Sequence, residues 1–481
     1  MIASLPMAPK HFAPELPGRI APESLGADSF RRRFNIRYAY LTGAMYKGIA
    51  SKEMIVAMGE VGLLGFLGTG GMTLNEIERD IFFIQGRLRG KSYGMNLICN
   101  LNHPQTEMDT VELFIRRDIT CVEAAAFMQM TPALVYYRVS GLQKNADGAI
   151  VCRHRIIAKV SRPEIARAFL SPPPQDVLER LLAASKITPE QKELASRVPM
   201  SHDICVEADS GGHTDGGVAI VLLPAMQALR AEIEKQHRYA QQIHIGLAGG
   251  IGTPQAAVAA FMMGADFILT GSINQCTVEA GTSDRVKDLL EAIDVQDTDY
   301  APAGDMFELG AKVQVLKKGV FFPARANKLF MLYSHYDSWD AIPEKIRAPI
   351  EAKYFQRSFA AVWQEVVDYQ TRKGQLATLE KARLNPKHKL ALCFRWYFGY
   401  TSKLALAGDE NNRVDFQIHT GPALGAFNQW VRGTELASWR HRHVDRIAEM
   451  LMQGTADILD ARIRKFCAPG APNQPTAWNH L

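Results

Sequence analysis

The sequence predicts an α/β fold, a (β/α)8 TIM barrel with an additional helical substrate-binding domain after its eighth strand. Three observations carry this. Between Tyr38 and Ser272, short apolar segments alternate with helical ones eight times. That stretch has the size of one barrel, roughly 250 residues. The last two strands run into turns of small residues, Gly246-Leu-Ala-Gly-Gly-Ile-Gly-Thr-Pro254 and Ala265-Asp-Phe-Ile-Leu-Thr-Gly-Ser272. Paired turns after strands 7 and 8 are where such barrels commonly bind phosphate.

In chain order, the expected strands are 38–41, 65–68, 93–97, 119–123, 156–160, 204–208, 243–248 and 267–270. Several are apolar without alternation, as strands covered on both faces should be. Helices are expected at 52–59, 74–87, 108–116, 163–168 and 225–236, and at 255–263, where Pro254 suits a first helical turn. A doubly wound open sheet is the structural alternative. The breaker Ser171-Pro-Pro-Pro174 marks a surface excursion before strand 6. Beyond about residue 300 the strand pattern disappears. Residues 301–375 read as helical with interleaved aromatic and basic residues, 394–400 add an aromatic cluster, and 442–464 form a long amphipathic helix. The expected organisation is an N-terminal arm over 1–33 and a barrel over 34–300. A helical lid follows over 301–400, then a C-terminal helical segment over 401–481 that packs back on the barrel.

Composition narrows the class. The 481 residues exceed one ordinary core, and 47% hydrophobic with 22% charged residues is usual for a soluble protein. No apolar run reaches the ~20 residues that span a bilayer. Residues 1–17 lack the apolar core of a signal peptide, so no membrane and a cytoplasmic setting are expected. Seven dispersed cysteines without a C-x-x-C pair argue against a disulfide framework and a bound metal. A net charge of +5 is too mild to point to nucleic acid.

Several residues could carry chemistry. Glycine lets backbone N–H groups approach a phosphate closely, which singles out Gly249, Gly250, Gly271 and Ser272. Strand 6 ends in Glu207-Ala-Asp-Ser-Gly-Gly-His213. His213 follows a glycine pair at the mouth and suits general acid or base work, or a structural role. Lys159 closes strand 5 inside an apolar run, where a charge needs a partner. That partner is either a cofactor's ring or phosphate, or a strand-end carboxylate such as Glu123 or Glu207. Asn96 is a polar residue in a buried strand, and Leu41-Thr-Gly-Ala-Met45 ends strand 1 in small residues on which a flat ring could lie. Together they describe one ring-and-phosphate ligand across the mouth.

On these motifs the barrel resembles the nitronate monooxygenase and FMN-dependent enoyl reductase superfamily. From about Phe34 to Leu459 the chain resembles PfaD-type proteins, trans-acting enoyl reductases of polyunsaturated fatty acid and trans-acyltransferase polyketide synthases. The more specific echoes are Met306-Phe-Glu-Leu-Gly-Ala-Lys-Val-Gln-Val-Leu-Lys-Lys-Gly319, Phe322-Pro-Ala-Arg-Ala-Asn-Lys328 and Gly421-Pro-Ala-Leu-Gly-Ala-Phe-Asn428. The resemblance is to the stand-alone reductase, without an acyltransferase nucleophile elbow. It implies FMN, with phosphate on Gly249, Gly250, Gly271 and Ser272, and the ring against Met45 and Asn96. Lys159 would lie near the N1/O2 edge, and His213 would be the catalytic histidine. The implied activity is NADPH- or NADH-dependent reduction of the 2,3-double bond of enoyl thioesters on an acyl carrier protein. Synthase modules would be partners and a homodimer is allowed; the basic residues Arg325, Lys328, Lys353 and Arg357 either meet an acidic carrier protein or are solvated surface. Alternatives are an O2-dependent nitronate monooxygenase, a flavin-free sugar-phosphate barrel and a non-catalytic carrier-binding subunit.

Overall fold

The structure, a computed structural model, describes residues 18–101 and 103–467. Eight strands close into a barrel: β1 (Tyr40–Thr42), β2 (Leu64–Leu67), β3 (Gly94–Ile98), β4 (Cys121–Ala125), β5 (Arg155–Val160), β6 (Asp203–Glu207), β7 (His244–Ala248) and β8 (Ile268–Thr270). Every neighbouring pair is parallel and β1 pairs with β8, which excludes the open sheet. Leu41, Leu64, Phe66, Cys121, Ile157, Cys205, Phe267 and Leu269 fill the barrel interior. The rest of the apolar strand surface packs under the surrounding helices, so each strand is covered on both faces.

The lower end is plugged by helix Asp28–Phe34, part of the expected arm. Phe30 stacks on Phe267 with ring centroids 4.1 Å apart, and Arg33 pairs with the buried Asp203 at 2.6 Å. Residues 1–17 of that arm lie outside the described residues. The proline-rich breaker leads into two extra helices, Gln175–Ala183 and Pro189–Ala195, before β6.

One expectation is corrected after β8. Strands do not disappear near residue 300: Thr298–Pro302 and Lys312–Leu316 form an antiparallel pair, and Gly212–Thr214 joins as third strand. The first two pair as a local hairpin, whereas the third joins Lys312–Leu316 across about a hundred residues of sequence, which local periodicity does not report. Helices Phe322–His335, Glu344–Ile350, Phe359–Arg372, Leu376–Leu384 and Pro386–Ala407 follow. They surround a second core built on Phe307, Phe322, Phe355, Phe394, Tyr397 and Phe398. Thus much of the aromatic cluster is internal packing. Two of the basic residues expected to meet a partner are likewise committed inside the unit, Arg325 to the buried Asp415 and Arg357 to Glu365. The C-terminal helix Val444–Cys467 lies against Pro254–Met262 and Lys52–Glu60 on the barrel's outside. Among the described residues, no helix is long and apolar enough to cross a membrane and no cluster of metal-ligating residues occurs.

Candidate functional site

The C-terminal ends of the barrel strands open into a cavity of about 2290 Å³ that continues beneath the helical unit. Met45, Asn96, Lys159, His213, Gly249, Gly250, Gly271 and Ser272 all line it. Its size exceeds the ~300–1,000 Å³ of ordinary ligand pockets, leaving room for more than one ligand.

The glycine turns form one wall. Gly249 and Gly250 have φ of +92° and +74°, a conformation that L side chains rarely adopt. A Cβ at Gly250 or Gly271 would meet nothing within 4 Å, so both face open space. A third element, not singled out for the site from sequence, completes this wall. Helix Pro422–Trp430 begins beside the turns: Gly421 N–H donates to Ser272 Oγ at 3.1 Å, and Gly252 lies so close to Ala423 that a Cβ would sit 2.0 Å from its carbonyl oxygen. Phosphate sites in such barrels commonly combine these loops with the N-terminus of an extra helix. The sequence signals for it are the Gly-Pro pair, a helix-start signature, and the family resemblance of 421–428. The Ser210 hydroxyl, buried on the same cavity, has no partner among the described residues. Bare N–H-rich turns, an open glycine face and an orphan hydroxyl fit a phosphate-bearing cofactor.

The floor is a charged triad. Lys159 Nζ lies 2.9 Å from Glu207 Oε1 and 3.3 Å from Glu123 Oε1, so the strand-end carboxylates are the partners its charge requires. Burial opposes the ammonium, but the two carboxylates outweigh it and hold its pKa above the usual range. Glu123 is wholly buried, which raises its pKa against the pull of Lys159. Its Oε2 also accepts the Ala44 N–H at 2.8 Å, fixing the turn that carries Met45. Asn96 donates to the Glu123 carbonyl at 3.1 Å. An ammonium has three N–H donors, so two carboxylates leave Lys159 one for a ligand.

His213 stands at the seam between barrel and helical unit. It occupies the middle of strand Gly212–Thr214, opposite Val313. Its Nε2 lies 2.8 Å from Asp305 Oδ1, a residue that sequence reading missed because it comes from the connection between the two later strands. Burial lowers the His213 pKa, yet the hydrogen bond and charge of Asp305 more than compensate and raise it. On the same edge, His419 bridges Val315. Burial, reinforced by His213, lowers its pKa to about 4, so it is neutral at physiological pH.

Over the whole fold, the enoyl reductase domain of MlnA from the macrolactin biosynthesis cluster of Bacillus amyloliquefaciens superposes with a TM-score of 0.89. It is 45% identical and the match covers 92% of this chain and 99% of that one. The chain belongs to the PfaD-type enoyl reductase family. The polyketide biosynthesis protein PksE of Bacillus subtilis is 55% identical over 451 residues, covering 94% of this chain and 58% of PksE. A polyunsaturated fatty acid synthase subunit of a Thraustochytrium species is 45% identical over 415 residues, 86% of this chain and 28% of that protein. The chain thus spans little more than half, or less, of these curated relatives. Residues 336–416 match the inserted helical domain of [acyl-carrier-protein] S-malonyltransferase.

That helical-domain match raises acyltransferase chemistry. Gly90-Lys-Ser-Tyr-Gly94 does have Gly-x-Ser-x-Gly spacing, contrary to the expectation of no such motif. A nucleophile elbow places its serine on a strand-to-helix turn. Ser92 instead precedes β3, and its hydroxyl donates to the Phe34 carbonyl at the plugged end of the barrel. It is remote from the cavity mouth.

Proposed function

We propose that the chain is an FMN-dependent enoyl reductase that uses NADPH or NADH on enoyl thioesters carried by an acyl carrier protein, acting in trans within polyketide or polyunsaturated fatty acid synthesis. The observation that carries this reading is the single cavity joining the glycine turns to the helical unit, with His213 and Asp305 at its seam. Its volume suits a flavin together with a long acyl thioester, and membership of an enoyl reductase family supports the reaction class.

When bound, the flavin would supply hydride transfer from the nicotinamide to the β-carbon of the thioester. Gly249, Gly250, Gly271 and Ser272 would receive its phosphate, beside the start of helix Pro422–Trp430. Met45 and Asn96 would bound the ring, and the remaining Lys159 N–H would donate to it. Glu123 keeps that ammonium charged and holds the Ala44 turn in place. His213 would deliver a proton to the α-carbon through Nδ1, because Asp305 holds Nε2. The raised pKa keeps the imidazolium populated for that step. The helical unit excludes water from the acyl chain.

The test is a visible spectrum under argon. A flavin absorption that bleaches with NADPH and returns on adding a crotonyl thioester supports the reading. Return only on admitting air points instead to an oxygen-using enzyme. Absence of flavin, even after reconstitution with FMN, overturns it.

A further inference from the structure

The turn after β1 holds a second unusual feature. Lys47 adopts the left-handed conformation, φ 51° and ψ 42°, inside Tyr46–Gly48. L side chains rarely adopt that conformation, and such strain in a rigid frame tends to mark a working position. The frame is rigid here: Lys47 N–H donates to Gly70 O and Gly48 N–H to Gly68 O, both at 2.8 Å.

Lys47 lines the cavity from the barrel side, and Lys403, on helix Pro386–Ala407, lines it from the helical unit. Residues 281–283 tie together the two segments that carry them. Gly281 donates to Ile49 O at 2.9 Å and packs on Gly48, while Ser283 Oγ donates to Ala405 O at 2.6 Å. Among the described residues, neither ammonium has a carboxylate within ion-pair distance; Lys47 Nζ lies 5.6 Å from the Tyr46 ring centroid, a contact that supplies no anion. Glu76, the acidic group nearest in influence to Lys47, is occupied in capping its own helix through the Thr73 N–H and hydroxyl. Partial burial and Lys403 together lower the Lys47 pKa, the mark of a cation pair lacking its anion.

A separate observation points the same way. Gly399 lies one turn before Lys403 on the cavity-lining face, and a Cβ there would meet nothing within 4 Å. Glycine in a helix interior is destabilising, so a bare position facing open space one turn from Lys403 leaves passage for a slender chain.

We propose that Lys47 and Lys403 clamp a phosphate ester, the group shared by a phosphopantetheine thioester handle and a nicotinamide dinucleotide, with Gly399 giving the attached chain room to enter the cavity. This rests on the reductase reading for the identity of its sources. The two lysines come from separate units, so the clamp also holds the helical unit to the barrel when occupied.

Titration calorimetry of 4′-phosphopantetheine, pantetheine and NADPH against the full chain tests it, with wild type, Lys47→Ala and Lys403→Ala compared. Either variant removes one charge-assisted bond to the phosphate and should weaken binding roughly tenfold or more. Weakening for phosphopantetheine with pantetheine unchanged assigns the clamp to the thioester handle. Weakening for NADPH with phosphopantetheine unchanged assigns it to the dinucleotide. Affinities within twofold of wild type for both, or no binding of either to wild type, overturn the proposal. Lys403 is exposed on a helix surface, so its variant tests the idea even if Lys47→Ala folds poorly. Wild type that fails to reduce crotonyl-phosphopantetheine refutes the reductase reading, while the calorimetric comparison still decides the clamp.

Discussion

Placing a charge at Gly271 tests the phosphate wall most directly. Gly271 precedes helix Ser272–Gln275 and faces open space, a Cβ there meeting nothing within 4 Å. An aspartate side chain therefore starts into free space and meets what the cavity holds, and Gly271→Asn carries the same backbone requirement. A carboxylate about 5 Å from a phosphate bearing about −1.5 charges is repelled by about 5 kcal/mol at an effective dielectric of 20 and by about 1 kcal/mol at that of water. The mouth lies between these limits, so about 3 kcal/mol, a ~10²-fold loss of affinity, is expected. Gly271→Asn has nearly the same shape without the charge and separates repulsion from crowding. The assay is FMN affinity by quenching of flavin fluorescence, with flavin content of the purified protein as a second reading. Gly271→Asp should purify nearly colourless and Gly271→Asn should retain most flavin. Equal affinity of the two variants would show that no phosphate lies at this turn.

Three further outcomes are expected. If imidazolium is the required form of His213, turnover is full at low pH and falls as pH rises through its raised pKa. Asp305→Asn removes the cause of that rise, so the falling limb of kcat should move to lower pH; an unmoved limb would detach Asp305 from proton delivery. Lys159→Met leaves the buried Glu123 without its cation, costing about 3–5 kcal/mol in denaturant unfolding, and Lys159→Met with Glu123→Gln should recover most of it. An unchanged midpoint in the single variant would mean that the triad does not hold the floor. Gly399→Ala adds a methyl that touches nothing and should stabilise the chain by about 1 kcal/mol, whereas Gly399→Leu should slow long acyl substrates more than crotonyl thioester. Equal slowing of both chain lengths would place the acyl path elsewhere.

The barrel was legible because its signals are local. Each strand is a short apolar run bounded by a turn, and the eight expected segments overlap the eight observed strands, 243–248 against His244–Ala248 being typical. The residues read as the site, from Met45 to Ser272, line one cavity for the same reason, since strand ends of a barrel converge by construction. The omissions share the opposite character. Asp305 meets His213 across 92 residues of sequence, and Gly421 meets Ser272 across 149. No local pattern marks an aspartate in Ala303-Gly-Asp-Met306 as a histidine's partner. The exception is Lys312–Leu316, which pairs locally with Thr298–Pro302 and alternates as Val313-Gln-Val315, a nearby signal that the helical reading of 301–375 passes over.

Those long-range joins show why barrel and helical unit work as one device. The strand bearing His213 extends from the end of β6, yet its hydrogen-bonded neighbour, Lys312–Leu316, belongs to the later unit. Any shift of that unit therefore moves His213 against the glycine turns. The same holds for the phosphate wall, because Ala423 packs so tightly on Gly252 that helix Pro422–Trp430 cannot slide without displacing the turn after β7. The barrel supplies the residues, and the chain beyond residue 300 fixes their distances, so the geometry that reactivity depends on is set by packing between the two.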